Sequence, residues 1–447
     1  MAKERTSTKA SKVTAGLITG RTASQIIESV EAAIQRGSFA NGDALPTIRT
    51  LADALGVNRN TVASAYRHLS DAGIIQGRGR QGSRVAMPGA SASRGPTLLH
   101  DIGGGNPDNR LLPDVKNILG RTPWYQRGYE DPPDDQALID FAGRQFEKDR
   151  LPVGELWLAS GTFDAVALIL RSVLNAGDPV AVEDPCFMTT LGLLRELGHK
   201  PIPMQVDEQG VQPKALDAAL QSGAKAVILT PRAQNPFGGS WTAKRRDELA
   251  AVIKRHKDVL LIEDDHFAPL SPFQPVTLAS DDRPNWAIIR SVSKYIGPDL
   301  RLAFVNSSVG LGKGALSITA FTYRWVSSIL QRAVLATVTS NDYEAVLKKA
   351  AIAYKERRNF FLKALKNVGI AAHGADGINV WIPVKDEQAV ARRLMEAGWI
   401  VRPGSIFRLE TPEAIRVTTS SFTESESQEL AELLSSLQRQ GAAQRGA

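Results

Sequence analysis

Ile289-Arg290-Ser291-Val292-Ser293-Lys294, followed by Gly297-Pro298-Asp299-Leu300-Arg301, is the stretch from which the larger part of this 447-residue chain can be read. A serine lies three residues before Lys294 and an arginine seven after it. Hydroxyl, amine and guanidinium at that spacing form an arrangement that holds pyridoxal phosphate (PLP). The amine bonds the aldehyde carbon, while the hydroxyl and guanidinium take the phosphate. Around this stretch, apolar runs such as Pro179-Val180-Ala181-Val182, Ala226-Val227-Ile228-Leu229 and Val259-Leu260-Leu261-Ile262 alternate with helical segments. Unbroken apolar runs are strands covered on both faces, so the expected fold is α/β with a mixed, mostly parallel sheet. From about residue 345 the pattern becomes that of a smaller α+β lobe, and no internal repeat is evident.

Four further segments carry chemistry. Ser160-Gly161-Thr162-Phe163-Asp164-Ala165 opens a helical stretch whose first amides can cradle a phosphate. Glu183-Asp184-Pro185-Cys186-Phe187 can lay Phe187 over a pyridine ring, although a buried phenylalanine is equally a core residue. Pro231-Arg232-Ala233-Gln234-Asn235-Pro236-Phe237-Gly238 can present Asn235 to the ring hydroxyl, and Asn-Pro is also a turn signal. Ile262-Glu263-Asp264-Asp265-His266 ends a buried strand, where Asp264 can pair with the protonated ring nitrogen and keep the ring an electron sink. A strand-end Asp-Asp is otherwise a cap or a turn.

In this order and spacing the segments resemble the fold-type I aminotransferases over about residues 100–435. The resemblance implies Lys294 as the Schiff-base lysine and Asp264 as the ring-nitrogen partner. It places Ser291, Ser293 and Arg301 with Gly161 and Thr162 at the phosphate, and Asn235, His266 and Phe187 around the ring. Arg416, in Ala414-Ile415-Arg416-Val417, matches the arginine that grips the carboxylate of a substrate or effector, where a guanidinium fork suits a carboxylate. Tyr129 matches the tyrosine that reaches a neighbouring subunit's phosphate, which implies a homodimer. Three positions depart from the pattern. His266 stands where a tyrosine is frequent, and Asp134 stands where a glycine is usual after Asp131-Pro132. Phe163-Asp164 replaces a pair of polar amides, so the Asp164 carboxylate must point away from the phosphate or weaken its binding.

Ahead of this body the sequence changes character. Thr22 to Gly37 reads as an amphipathic helix, with Ile26, Ile27, Val30, Ala33 and Ile34 on one face. Pro46 can open a second helix that Gly56 ends, and Asn58 can cap a third with Val62, Tyr66 and Leu69 inward. Two short strands then flank the basic tip Gly77-Arg78-Gly79-Arg80-Gln81-Gly82. Residues 1–86 are therefore expected to be a winged helix-turn-helix. Residues 1–88 carry twelve Lys/Arg against six Asp/Glu, a balance of +6 out of the chain's +7. That asymmetry points to an anionic partner or to a solvated basic face.

Leu45-Pro46-Thr47-Ile48-Arg49-Thr50-Leu51-Ala52, Gly56-Val57-Asn58-Arg59-Asn60-Thr61-Val62 and Ala65-Tyr66-Arg67-His68-Leu69 together resemble the winged helix of GntR-type regulators. The resemblance implies that Arg49, Asn58, Arg59, Asn60 and Thr61 face double-stranded DNA. Residues at the start of a recognition helix can reach base edges and phosphates, while Arg78, Arg80 and Arg84 on the wing suit backbone contacts.

Met87 to His100 reads as a linker, leaving residues 101–447 as the body. A hydrophobic content of 43% and a charged content of 23% are ordinary for a globular chain. No apolar run approaches the roughly 18 residues a membrane helix needs, and the polar start MAKERTSTKASK has no signal-peptide core. The single cysteine, Cys186, forms no intrachain disulfide, so a cytoplasmic address is expected. With six scattered histidines, it also argues against a metal site. A GntR-type head on an aminotransferase-like body resembles the MocR family of regulators. The expectation is a PLP-responsive DNA-binding transcription regulator of vitamin B6 or amino-compound metabolism, with an amino compound as a candidate second effector. An active aminotransferase with an accessory DNA-binding head is the competing reading. A mere dimerisation scaffold would need none of Lys294, Asp264, Ser291 and Arg301.

Overall fold

In the computed structural model the described residues are 17–35, 38–39, 43–71, 74–77, 83–85, 99–120, 122 and 126–443. The chain divides into two compact units, Met1–Leu98 and Leu99–Ala447. In the first, helices α1 (Ala23–Gln35), α2 (Ile48–Leu55) and α3 (Arg59–Asp71) precede an antiparallel ribbon of β1 (Ile75–Gly77) and β2 (Ser83–Val85). Ile26, Val30, Leu51, Val62, Tyr66 and Leu69 close the helical core against Ile75 and Val85. Thr47 caps α2 by accepting the Thr50 amide, and Gly56 ends it at φ +63°, a left-handed position that suits glycine. Arg78, Arg80, Gly37 and linker residues 87–98 lie outside the described residues.

The second unit begins with β3 (His100–Asp101), α4 (Val115–Leu119), α5 (Gln136–Lys148), β4 (Glu155–Ala159), α6 (Thr162–Val173), β5 (Pro179–Asp184) and α7 (Met188–Glu196). It continues through β6 (Lys200–Asp207), β7 (Gly210–Val211), α8 (Pro213–Gln221), β8 (Ala226–Leu229), α9 (Ala243–Ile253), β9 (Leu260–Asp264), β10 (Trp286–Ser291) and β11 (Ala303–Ser307). Helices α10 (Val309–Ala320), α11 (Ser328–Val338) and the long α12 (Tyr343–Asn367) lead to the smaller lobe. There β12 (Asn379–Pro383), α13 (Glu387–Glu396), β13 (Trp399–Ile400), β14 (Arg402–Pro403), β15 (Ala414–Thr418) and α14 (Glu424–Ala443) follow.

The large sheet has eight strands in the order β4-β11-β10-β9-β8-β5-β6-β7. Only β11 and β7 run against the rest. Side chains alternate across it. Val180, Val182, Ile228, Ile262 and Ile289 pack on one face with α6 and α10. Ala181, Val227, Leu261 and Ile288 pack on the other with α8 and α9. By the same alternation, Asp264 and Ser291 leave the sheet ends on the first face, and Asp265 and Arg290 on the second. The smaller lobe is built on a three-stranded sheet, β12-β15-β14. Strand β3 pairs in parallel with β13, so the first residues of the body belong to the C-terminal lobe. Among the described residues no helix is long and apolar enough to cross a membrane.

Candidate cofactor site and nucleic-acid interface

Lys294 and most of the residues expected around it meet in one cavity of about 190 Å³ at the carboxyl ends of β5, β8, β9 and β10. Thr162, Phe187, Asn235, Asp264, His266, Ser291, Ser293, Lys294 and Arg301 all line it. Ligands in open α/β sheets collect at strand carboxyl ends, because the turns there converge with helix N-termini.

At one end is a cluster of groups suited to holding a phosphate. Gly161 caps α6 at φ +96°, and a Cβ there would lie 2.7 Å from Nη2 of Arg301. Only glycine lets the guanidinium approach this closely. Arg301 donates to the Ser160 carbonyl at 3.3 Å, and the Ser291 and Ser293 hydroxyls lie 2.8 Å apart. Asp164 points away: its Oδ2 accepts the Ser160 amide at 2.8 Å and the Tyr323 hydroxyl at 2.5 Å, and it does not line the cavity.

At the other end lie the ionisable groups. Burial, and secondly the Asp265 charge, push the Asp264 carboxyl up to about 7, and its buried Oδ1 has no hydrogen-bond partner. A carboxylate oxygen left without a partner at the wall of a cavity fits a protonated pyridine nitrogen. Burial and the neighbouring Lys294 charge push His266 down to about 4, so its ring is neutral near pH 7. Its Nδ1 lies 3.8 Å from Asp264 and is likewise without a hydrogen-bond partner. Lys294 is lowered to about 8 by burial and then by Arg416, which raises the fraction present as a nucleophilic free amine. Its Nζ donates to the Gly105 carbonyl at 2.6 Å. The residues present thus fit PLP: a hydroxyl-guanidinium cradle, an acid for the ring nitrogen, Asn235 and His266 beside the ring, and an amine with a lowered pKa.

Arg416 is buried on β15, outside this cavity's lining. Nη1 donates to Asn235 Oδ1 at 3.0 Å and Nη2 to the Gly103 carbonyl at 2.5 Å, while Nε has no partner. Burial, and then Arg402, lower it to about 10. Phe187 stacks on Phe163 at 5.6 Å between ring centroids. Tyr129 also lies outside the cavity; it is 73% exposed, with its ring edge-on to Trp325 and under Arg324.

On the first unit, Arg49, Asn58, Arg59 and Asn60 are exposed and Thr61 half-buried at the start of α3. Asn58 accepts the Asn60 amide at 2.8 Å and so fixes the helix entry. Arg84 is exposed on β2.

Sequence reasoning missed two parts of the site. Glu183 lines the cavity, and burial pushes it up to about 7; it stood unassigned in a quoted motif. The Gly103–Gly105 strap, which engages both Lys294 and Arg416, was signalled only by its three consecutive glycines.

Known proteins share both parts of this architecture. Residues 130–434 match the aminotransferase class I and II family, and residues 22–85 match the bacterial regulatory proteins of the gntR family. The chain is 42% identical to the vitamin B6 salvage pathway transcriptional repressor PtsJ of Salmonella typhimurium, over 93% of this chain and 98% of that protein. It is 26% identical to the pyridoxine biosynthesis transcriptional regulator PdxR of Corynebacterium glutamicum, over 75% and 77%. An archaeal alanine:glyoxylate aminotransferase superposes with a TM-score of 0.70 at 24% identity, over 77% of this chain and 92% of that one.

Proposed function

The chain belongs to the transcription regulators that join a GntR-family DNA-binding head to an aminotransferase class I and II body, and from that premise we propose that the body senses PLP and changes the head's affinity for its operator. The target genes would lie in vitamin B6 metabolism, a reading supported by 42% identity to a vitamin B6 salvage repressor over almost the full length of both chains. One observation carries the preference for sensing over turnover. The residues that fit the cofactor share a cavity, while Arg416, the candidate carboxylate grip, lies outside its lining and donates to Asn235 and the Gly103 carbonyl.

The geometry supports one assignment of roles. Ser291, Ser293 and Arg301 hold phosphate with the first amides of α6, and Asp264 holds the ring nitrogen's proton. Asn235 and the neutral His266 orient the ring hydroxyl, and Lys294 supplies the amine. When bound, PLP contributes an electrophilic aldehyde conjugated to an electron-withdrawing ring. An amino compound acting as a second effector would bring its carboxylate to Arg416, in competition with Asn235 and the Gly103 carbonyl for the Nη donors. A homodimer in which Tyr129 reaches the partner's phosphate would account for an aromatic side chain 73% exposed.

The testing experiment compares operator affinity of apo and PLP-loaded protein in gel shifts, beside steady-state turnover with amino donors and keto acids. We expect PLP alone to shift operator affinity by a factor of about 5–150, as in typical allosteric coupling. Equal affinities with robust multiple turnover would make the protein an enzyme first.

A further inference from the structure

On the opposite face of the sheet ends from the cofactor cavity lies a second cavity of about 370 Å³. Its polar wall includes sequence neighbours of cofactor-site residues, Arg290 beside Ser291 and Tyr295 beside Lys294, and Asp265, the neighbour of Asp264, holds Arg290 from behind that wall. Strand alternation forces this back-to-back placement for the two strand-end pairs.

The second cavity has donors to spare. Tyr295 and Tyr343 line it at 5% and 7% exposure, and neither hydroxyl has a hydrogen-bond partner among the described residues. Both oxygens are absent from the fully enclosed, unsatisfied polar atoms, so each opens onto free space. Arg290 is 6% exposed; Nε donates to Asp265 at 3.0 Å and Nη2 to Asp149 at 2.6 Å. Its Nη1 has no partner among the described residues. Arg232 is satisfied by Asp265, to which Nε donates at 2.8 Å. At the rim, Lys148 and Lys348 outnumber Glu344, so with Arg232, Arg290, Asp149 and Asp265 counted the surroundings carry one net positive charge. The remaining walls are mixed: Phe141, Phe304 and Leu347 supply apolar surface, a proline-rich turn with Gln274 closes another side, and Phe146 lies under the Arg290 guanidinium.

Three deeply buried donors without acceptors, one excess positive charge and flat apolar surface describe the complement of a small aromatic acid. We propose that this cavity is a second ligand site, separate from the cofactor site, that takes a compact aromatic or heteroaromatic anion. The ring lies against Phe141 and Phe304, and the carboxylate or phosphate meets Arg290 Nη1 and the two tyrosine hydroxyls. The proposal does not depend on PLP sensing.

The test titrates benzoate, phenyl phosphate and neutral benzamide by calorimetry into two full-length proteins. One is wild type saturated with PLP; the other is Lys294→Ala without PLP. One saturable site per chain for an acid is expected in both, with no binding of benzamide, and the tighter of the two acids identifies the anionic group. Tyr295→Phe and Tyr343→Phe keep the ring packing and remove one donor each. Each should weaken the acid about tenfold or more, since a hydrogen bond to a charged group is worth about 1.5–3 kcal/mol. Both variants should still take up PLP with the wild-type visible band. Absence of saturable acid binding, competition between the acid and PLP, or unchanged affinity in both variants would overturn the assignment.

Discussion

Asp264→Asn should stabilise the apo protein and weaken its hold on PLP, two effects of opposite sign from one substitution. In the folded apo chain the carboxyl rises from 3.8 to about 7, chiefly through burial. A displacement of that size corresponds to about 4 kcal/mol disfavouring the ionised form. The side chain is 22% exposed, facing the cavity, so water there relieves part of the penalty, and about 2 kcal/mol is a working figure. Because the folded pKa lies above the unfolded one, the penalty is absent at pH below about 4. It grows as pH rises towards 7 and is constant above that. Asparagine has the same shape and no charge to bury. Melting of the apo proteins followed by circular dichroism should place the variant a few degrees above wild type at pH 8, with a smaller gap at pH 5. With saturating PLP the order should reverse, because wild type alone pairs a carboxylate with the ring nitrogen. Equal apo melting at both pH values, or wild-type PLP affinity in the variant, would refute the assignment of Asp264.

Other expectations are briefer. Lys294→Ala should lose the visible band that wild type shows with PLP, whereas an unchanged spectrum would exclude Lys294 as the attachment point. The rate of PLP uptake by wild type should climb as pH rises through about 8 and then level, as the amine loses its proton; stopped-flow absorbance reads this directly. Gly105→Ala should destabilise the body by about 1–2 kcal/mol in denaturant titration, since φ is +68° and the new Cβ would lie 3.0 Å from Arg416 Nη2. Arg59→Ala should cost about 1–3 kcal/mol of operator binding and relax specificity, while Arg84→Ala should mainly flatten the salt dependence. Gel shifts across a salt series separate the two outcomes.

The apolar runs that became β5, β8 and β9 were legible because a strand buried on both faces cannot tolerate polar residues, whatever its neighbours are. The residues that share the candidate cavity were legible for a related reason: they stand at or shortly after the ends of such strands, in segments whose sequence carries its own chemistry. What escaped depends on partners far away in the chain. The pairing of His100 with Trp399 draws the start of the body into the C-terminal lobe, and no local pattern announces it. The direction of the Asp164 carboxylate was left open until Tyr323, 159 residues on, supplied a donor. Glu183 reads as one more residue of a strand until the cavity beside it is visible. The second cavity escaped altogether, because its walls bring α5 and α12 against Arg290 from distant parts of the chain.

The bond from Lys294 to the Gly105 carbonyl sets a threshold. If Lys294 is the attachment point, its bond to the Gly105 carbonyl must give way before the amine attacks an aldehyde, so the apparent dissociation constant would include the cost of that bond. If the strap is docked for a fraction of the time, the site is competent only for the remainder, and half-filling moves to proportionately higher concentration. Arg402, whose Nε donates to the Gly103 carbonyl at 3.2 Å, and Thr418, whose hydroxyl accepts the Gly105 amide at 3.0 Å, act on that fraction from outside the cofactor cavity. On the proposed function, exchanging such residues would recalibrate the concentration at which the protein responds while every group in the cofactor cavity stays the same.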